Sequence, residues 1–432
     1  MTVRRSLGVC ALLLLAACGS KPDASHDTLD AAARDYVQLS LTIGEKEEGY
    51  LDAYYGPPEI KTAAVAEAPK LSLPDLIKRT DALAARVNSI GRVSEDLDAR
   101  RAAFLTAQLT AARTRLRMLS GEKLSFEDEA LGLFGVRPVL QPLASYDPVL
   151  AKIEALVPGD GPPSERVDAF QDRFTIPAAK LKPVFDAAIT ECKARTLAHI
   201  ALPKAEKFDM KFVTGKSWSG YNYYLGNATS RIEINTDLPI RIGRAVDLGC
   251  HEGYPGHHVL NALLEQKLVR DKGWIEFSVY PLYSPQSLIA EGSANYGIDL
   301  AFPGPERLAY ETRILYPLAG IPTADAGRYA ELQQAMTALA GARFTIAREL
   351  LEGRIDEAEA ERLVQRYQLV SPERARQSVA FTKQYRSYVI NYGLGMDMVR
   401  ADVERAGASP QARWKRMEQL LSEPTLPSDL KG

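Results

Sequence analysis

Apolar residues return every three or four positions through most of this chain, the spacing that lays one apolar stripe along a helix. It predicts helices over residues 27–44, 73–90, 94–122, 176–200, 324–351 and 355–367. Several ends carry their own signals. Ser94 is placed to cap the third of these, and Gly121 to stop it. A further helix over 284–300 opens with Ser284 as cap and Pro285 at its first position. Stretches rich in Pro and Gly, such as VPGDGPPSE at 157–165, separate the helices. One segment, SGYNYYLGNATSRIEINTDLPIR at 219–241, changes period: Ile232 and Ile234 alternate with Arg231, Glu233 and Asn235, and GNATS supplies turn residues. That is a β-hairpin pattern. The expected fold is mainly α, a large helical domain with a small antiparallel β-hairpin or sheet. No internal repeat or low-complexity block interrupts it.

Composition adds little to this picture except by exclusion. The chain has 432 residues, 46% apolar and 25% charged, with a formal net charge of −2. It can bury a large core, and it lacks the concentrated basic character that nucleic-acid binding requires. The N-terminus stands apart. Arg4 and Arg5 precede an apolar run over 7–17 that is too short to span a bilayer. The run ends in LAAC, closing on Cys18, which resembles the bacterial lipobox. That resemblance implies cleavage before Cys18 and a lipid on its thiol. Gly19, by likeness to Gram-negative lipoproteins, implies the outer membrane, facing the periplasm. An ordinary cleaved signal peptide and a chance apolar terminus are the alternatives. The chain then divides into a signal with its lipobox at 1–18, a polar tether at 19–26, a helical part at 27–205 and a part carrying the candidate chemistry at 206–432. The last two are read as one continuous domain. Of four cysteines, only Cys192 and Cys250 lie in the body. An exported protein can pair them, and two buried thiols are the other reading.

The candidate chemistry sits in DLGCHEGYPGHHVL, 247–260, which holds three of the chain's five histidines. His251 and Glu252 open like the zinc-peptidase signature H-E-x-x-H, but Pro255 stands where the second histidine belongs. His257 and His258 come later. On a regular helix a spacing of six turns the side chain by about 240° and lifts it by about 9 Å, and a spacing of seven lifts it by about 10.5 Å. Zinc–nitrogen bonds are about 2.1 Å, so neither spacing works on a regular helix. Pro255 cannot donate to the carbonyl of His251, and Gly253 and Gly256 tolerate unusual backbone angles. A bulge of the π type would bring a later histidine back to His251. A His-rich surface turn fits the same residues. A third ligand is available in Glu291, which falls mid-helix among Ala290, Gly292, Ser293 and Ala294. A carboxylate among small apolar neighbours needs a partner or a metal, unless it lies on a solvated edge.

HEGYPGHH followed by EGSANYG resembles the bacterial family named for domain of unknown function 885, and through it the gluzincin metallopeptidases. The likeness runs from the hairpin to about residue 400. It implies that His251, His257 and Glu291 hold zinc, with Glu252 as general base. His258 matches the family's second, less telling histidine. YGLG, 392–395, matches the family's Y-x-x-G and nominates Tyr392 as a donor to the oxyanion, against simple packing of its ring. Ser293 stands where a bulky residue is usual, which leaves the pocket's shape open. The implied function is a zinc-dependent hydrolase of the envelope, a peptidase activating water on zinc and acting on a peptide or amide substrate. A zinc amidase or esterase on a non-peptide substrate and a non-enzymatic envelope binding protein are the rivals.

Overall fold

A computed structural model describes residues 24–90 and 96–430 of the chain. Cys18 with its lipobox, most of the tether and Ser94 lie outside the described residues. The fold is mainly α with two small sheets. Helices Ala24–Gly44, Leu73–Ser89, Asp96–Leu119 and Glu357–Gln368 occupy the stretches their periodicity predicts. Their ends follow local chemistry. Before Leu73, the Ser72 side chain accepts from the Asp75 N–H, and the Asp75 carboxylate accepts from the Ser72 N–H. Two N–H groups that a helix start would orphan are thereby satisfied. Leu76, Thr80, Leu83 and Val87 then turn one face inward.

Two helices differ from the pattern. The stretch 324–351 forms two helices, Ala326–Thr337 and Ala340–Leu351. At the break, the N–H groups of Ala338 and Leu339 reach carbonyls only three residues back, and the tightened turn buries Leu339. The stretch 176–200 begins as an α-helix only at Leu181: Pro177 disfavours a helical Ile176, whose N–H is instead tied to the Ile240 carbonyl at 2.8 Å. Local periodicity is overridden in both places.

The expected hairpin is present as β3 (Gly220–Tyr224) and β4 (Thr229–Asn235), antiparallel, with Tyr221 opposite Glu233. To it the structure adds β2 (Lys207–Val213), parallel to β4, giving the order β2-β4-β3. A second sheet pairs β1 (Leu51–Tyr54) with β5 (Val279–Pro281). One apolar cluster runs from Leu29 to Leu430 through both parts of the chain. A buried ion pair, Arg101 with Glu276, joins them as well. No helix among the described residues is long and apolar enough to cross a membrane.

The contact that matters most for the site is the crossing of helices Pro285–Ala301 and Ile390–Arg405. A Cβ on Gly292 would lie 2.4 Å from the Gly395 carbonyl oxygen, so the two backbones touch. Glu291, next to Gly292, is thereby brought beside Tyr388 and Tyr392 at the head of the second helix. Cys192 and Cys250 form a disulfide, which ties the helix Leu181–Leu197 to the turn that carries His251.

Candidate metal centre

The helix Gly243–Leu248 runs into a π turn, Gly249–Gly253, which carries His251 and Glu252. The chain then leaves the helix through Tyr254, Pro255 and Gly256, with a cis Tyr254–Pro255 bond, and a new helix starts at His257. The expected irregularity is therefore a widened turn followed by a three-residue excursion. Its geometry depends on Gly256. The Gly256 N–H donates to the Cys250 carbonyl at 3.0 Å. A Cβ on Gly256 would lie 1.7 Å from the His251 carbonyl oxygen. Only glycine lets the chain fold this tightly onto His251.

The excursion returns His257 to His251, their Nε2 atoms 3.1 Å apart. Glu291 completes the group, with Oε2 at 3.3 Å from His251 Nε2 and Oε1 at 3.7 Å from His257 Nε2. Ligands at about 2.1 Å on the corners of a tetrahedron stand about 3.4 Å apart. The two edges that meet at His251, 3.1 and 3.3 Å, fall just short of that value, and the third, 3.7 Å, runs to the other carboxylate oxygen. Apart from the approach of His251 Nε2 at 3.3 Å, Glu291 Oε2 is buried without a hydrogen-bond partner among the described residues, as a carboxylate oxygen awaiting a cation would be. Burial pushes the His257 imidazole down to about 4, so it stands neutral, the form that binds a metal. Burial works to raise Glu291, but the neighbouring His257 and His251 and a hydrogen bond from Tyr388 hold it below its ordinary value. The donor set could hold a metal ion, and its nitrogen and oxygen donors are of the kind zinc accepts.

His258 faces the other way. It is fully buried, with Nδ1 2.7 Å from Ser230 Oγ and Nε2 3.1 Å from Glu206 Oε1. The adjacent histidines thus divide, one toward the donor cluster and one into the sheet.

Glu252 lies beside this cluster at the floor of a cleft of about 790 Å³. Its backbone carbonyl accepts from Asn222 Nδ2 at 2.7 Å. Its carboxylate is 2.9 Å from where a Cβ on Gly220 would sit, so glycine at 220 clears the space. Burial pushes Glu252 up to about 7, with His251 opposing and Glu291 and Asp52 adding to the rise. Tyr392 lines the same cleft and senses both Glu291 and Glu252. Arg386, by contrast, is paired with the buried Glu129.

Three participants were not marked by sequence motifs. Tyr388 donates its hydroxyl to Glu291 Oε1 at 2.8 Å; it was visible only as one tyrosine among several before YGLG. Asp52 accepts a hydrogen bond from the Tyr221 hydroxyl, and both line the cleft. Asp52 sits on β1, a strand with no period-2 pattern to reveal it.

The arrangement is a mainly helical chain with a His–His–Glu cluster and Glu252 over one cleft, the Glu252 carboxylate having no hydrogen bond or ion pair among the described residues. No family model and no curated protein sequence matches it. Among solved structures it is similar to one described as a "putative lipoprotein" from Colwellia psychrerythraea. That likeness spans 86% of this chain and 71% of the other, at 15% identity and a TM-score of 0.51; it concerns the fold alone. A looser likeness, with a TM-score of 0.42 at 13% identity, links 92% of this chain to 90% of an M32 carboxypeptidase from Deinococcus radiodurans R1.

Proposed function

We propose that the protein is a zinc-dependent peptidase of the cell envelope, with His251, His257 and Glu291 as metal ligands and Glu252 as general base. The convergence of those three donors in a cleft beside Glu252, whose carboxylate is unpaired among the described residues, carries the reading. Held by His251, His257 and Glu291, a zinc ion would supply Lewis acidity toward water and a substrate carbonyl. Glu252 takes the proton from the attacking water and returns it to the leaving amine. Tyr392 offers its hydroxyl to the oxygen on which negative charge develops. Tyr388 fixes the orientation of Glu291.

A peptide substrate is favoured by β3. Ser219 and Leu225 bond to β4, so by alternation the main chain of Gly220 and Asn222 faces the strand's outer edge. That edge borders the cleft beside Glu252 and can take an extended peptide as an added strand. The motif likeness to the domain-of-unknown-function-885 family supports the same assignment. So does the lipobox for a lipid anchor on Cys18, in the outer membrane facing the periplasm.

Metal analysis of the purified protein with a peptide-library digest tests the reading. Glu252→Gln is expected to keep zinc and lose turnover by about 10² to 10⁴, and Glu291→Ala to lose zinc. Metal-free wild-type protein, or full turnover in Glu252→Gln, overturns it.

A further inference from the structure

The cleft contains several arginines, and their partners separate them. Arg115 is paired with Glu47, Arg244 with Asp247, and Arg307 with Asp247 and Glu311. Arg374 donates to the Pro239 carbonyl. Arg343, on the helix Ala340–Leu351, has none of this. Among the described residues no carboxylate lies within ion-pair distance of it, and its Nε is buried with no hydrogen-bond acceptor. Its neighbours are rings: the guanidinium carbon stands 5.1 Å from the centre of Phe381 and 6.0 Å from that of Tyr392. Its buried Nε is a donor left without an acceptor, which is costly unless a ligand supplies one, while the half-buried remainder of the guanidinium lines the cleft.

Its position says what that something is. Tyr392 links Arg343 to the donor cluster: its ring centre is 5.9 Å from that of Tyr388, whose hydroxyl is on Glu291. Arg343 therefore lines the same cleft as Glu252, a few side chains from the candidate metal centre. Phe381 lies within cation–π distance of the guanidinium, and a guanidinium held against a ring can still offer its nitrogen edge to another partner. That edge matches the two oxygens of a carboxylate in a forked pair, which a lysine cannot reproduce.

We infer that Arg343 is a specificity-determining residue that anchors a carboxylate of the substrate, so that this hydrolase prefers peptides presenting a carboxylate close to the scissile bond. The inference rests on the zinc-peptidase reading for the word hydrolase, but not for the binding itself. A free C-terminus and an acidic side chain both offer the group.

Calorimetric titration of the full chain carrying Glu252→Gln separates these. The probes are N-acetyl-Phe-Ala with a free carboxylate, its amide, and N-acetyl-Phe-Asp-amide. Loss of one charge-assisted pair is worth about 10-fold or more in affinity. The free-carboxylate probe is expected to bind at least about 10-fold tighter than its amide. Adding Arg343→Ala should abolish the difference, and Arg343→Lys should restore only part of it. Tighter binding of the aspartyl amide alone assigns the anchor to an acidic side chain. Equal binding of all three probes, or a preference that survives Arg343→Ala, overturns the inference. Turnover of the same peptides by wild type reports separately. An active enzyme without carboxylate preference sinks this inference alone, whereas carboxylate preference without turnover sinks the peptidase reading alone.

Discussion

Replacing Gly256 by alanine tests whether the candidate metal centre depends on the excursion between its two histidines. The new Cβ would lie 1.7 Å from the His251 carbonyl oxygen and 2.6 Å from that of Cys250. Both obstacles are backbone, so no side chain can swing aside. Bringing the contact out to 3.0 Å, the least that real Cβ atoms show, needs a shift of at least about 1.3 Å between the His251 and His257 backbones. Functional sites tolerate about 0.5 Å, and the His251–His257 edge is already at 3.1 Å. The expected result is a loss of zinc affinity of about 100-fold or more, with a fold destabilised by about 1–3 kcal/mol. Competition against a chromophoric chelator measures the first, and thermal melts in chelator measure the second. Gly327→Ala is the control. It lies in a helix with nothing within 4 Å of the new Cβ, and should leave affinity unchanged while stabilising the fold by about 0.5–1 kcal/mol. Wild-type zinc affinity in Gly256→Ala would refute the dependence of the site on this turn.

Three other perturbations probe the site's neighbours. His257→Ala should lose zinc, whereas His258→Ala should keep it and lower the melting temperature, since His258 packs against Ser230 and Glu206; the reverse pattern would exchange their roles. Tyr388→Phe should weaken zinc binding by about 10- to 100-fold by freeing Glu291, while Tyr392→Phe should keep zinc and lose about 10² to 10³ in turnover; unchanged turnover would return Tyr392 to packing. Asp52 gives a pH test. Burial, only partly opposed by the hydrogen bond from Tyr221, pushes its carboxyl from the ordinary 3.8 up to about 7. Between those values the native state holds a proton that the unfolded chain has released, so the cost of Asp52 is absent below pH 4 and complete above pH 7. In full it would be about 4 kcal/mol, and opening onto the cleft should reduce it to about half. In chelator-treated protein, Asp52→Asn is expected to raise the melting temperature by about 2 °C at pH 8 and not at pH 4; an equal gain at both pH values would be the contrary result.

Local chemistry is legible along this chain wherever neighbours in sequence decide the outcome. The helix Leu73–Ser89 has its cap, its apolar face and its end written within its own residues. The β3–β4 hairpin needs only alternation and a turn. The donor residues could be nominated because H-E and E-G fall in recognisable company. Contacts between distant segments decided the rest. β1 is four residues long and pairs with β5 more than 220 positions later, and neither carries a pattern that names its partner; Asp52 enters the cleft by that pairing alone. The break at Ala338 and Leu339 answers to burial of Leu339, and the late start at Leu181 goes with the pairing of Ile176 to Ile240 as well as with Pro177. Choice between His257 and His258 required the backbone path through Gly256, because adjacent residues on a helix differ by about 100° and the sequence does not say where the new helix begins. Arg343 carries no motif at all. A surface arginine and a cleft arginine read alike in one dimension, and only packing against Phe381 and Tyr392, with no carboxylate in reach among the described residues, singles this one out as the proposed anchor.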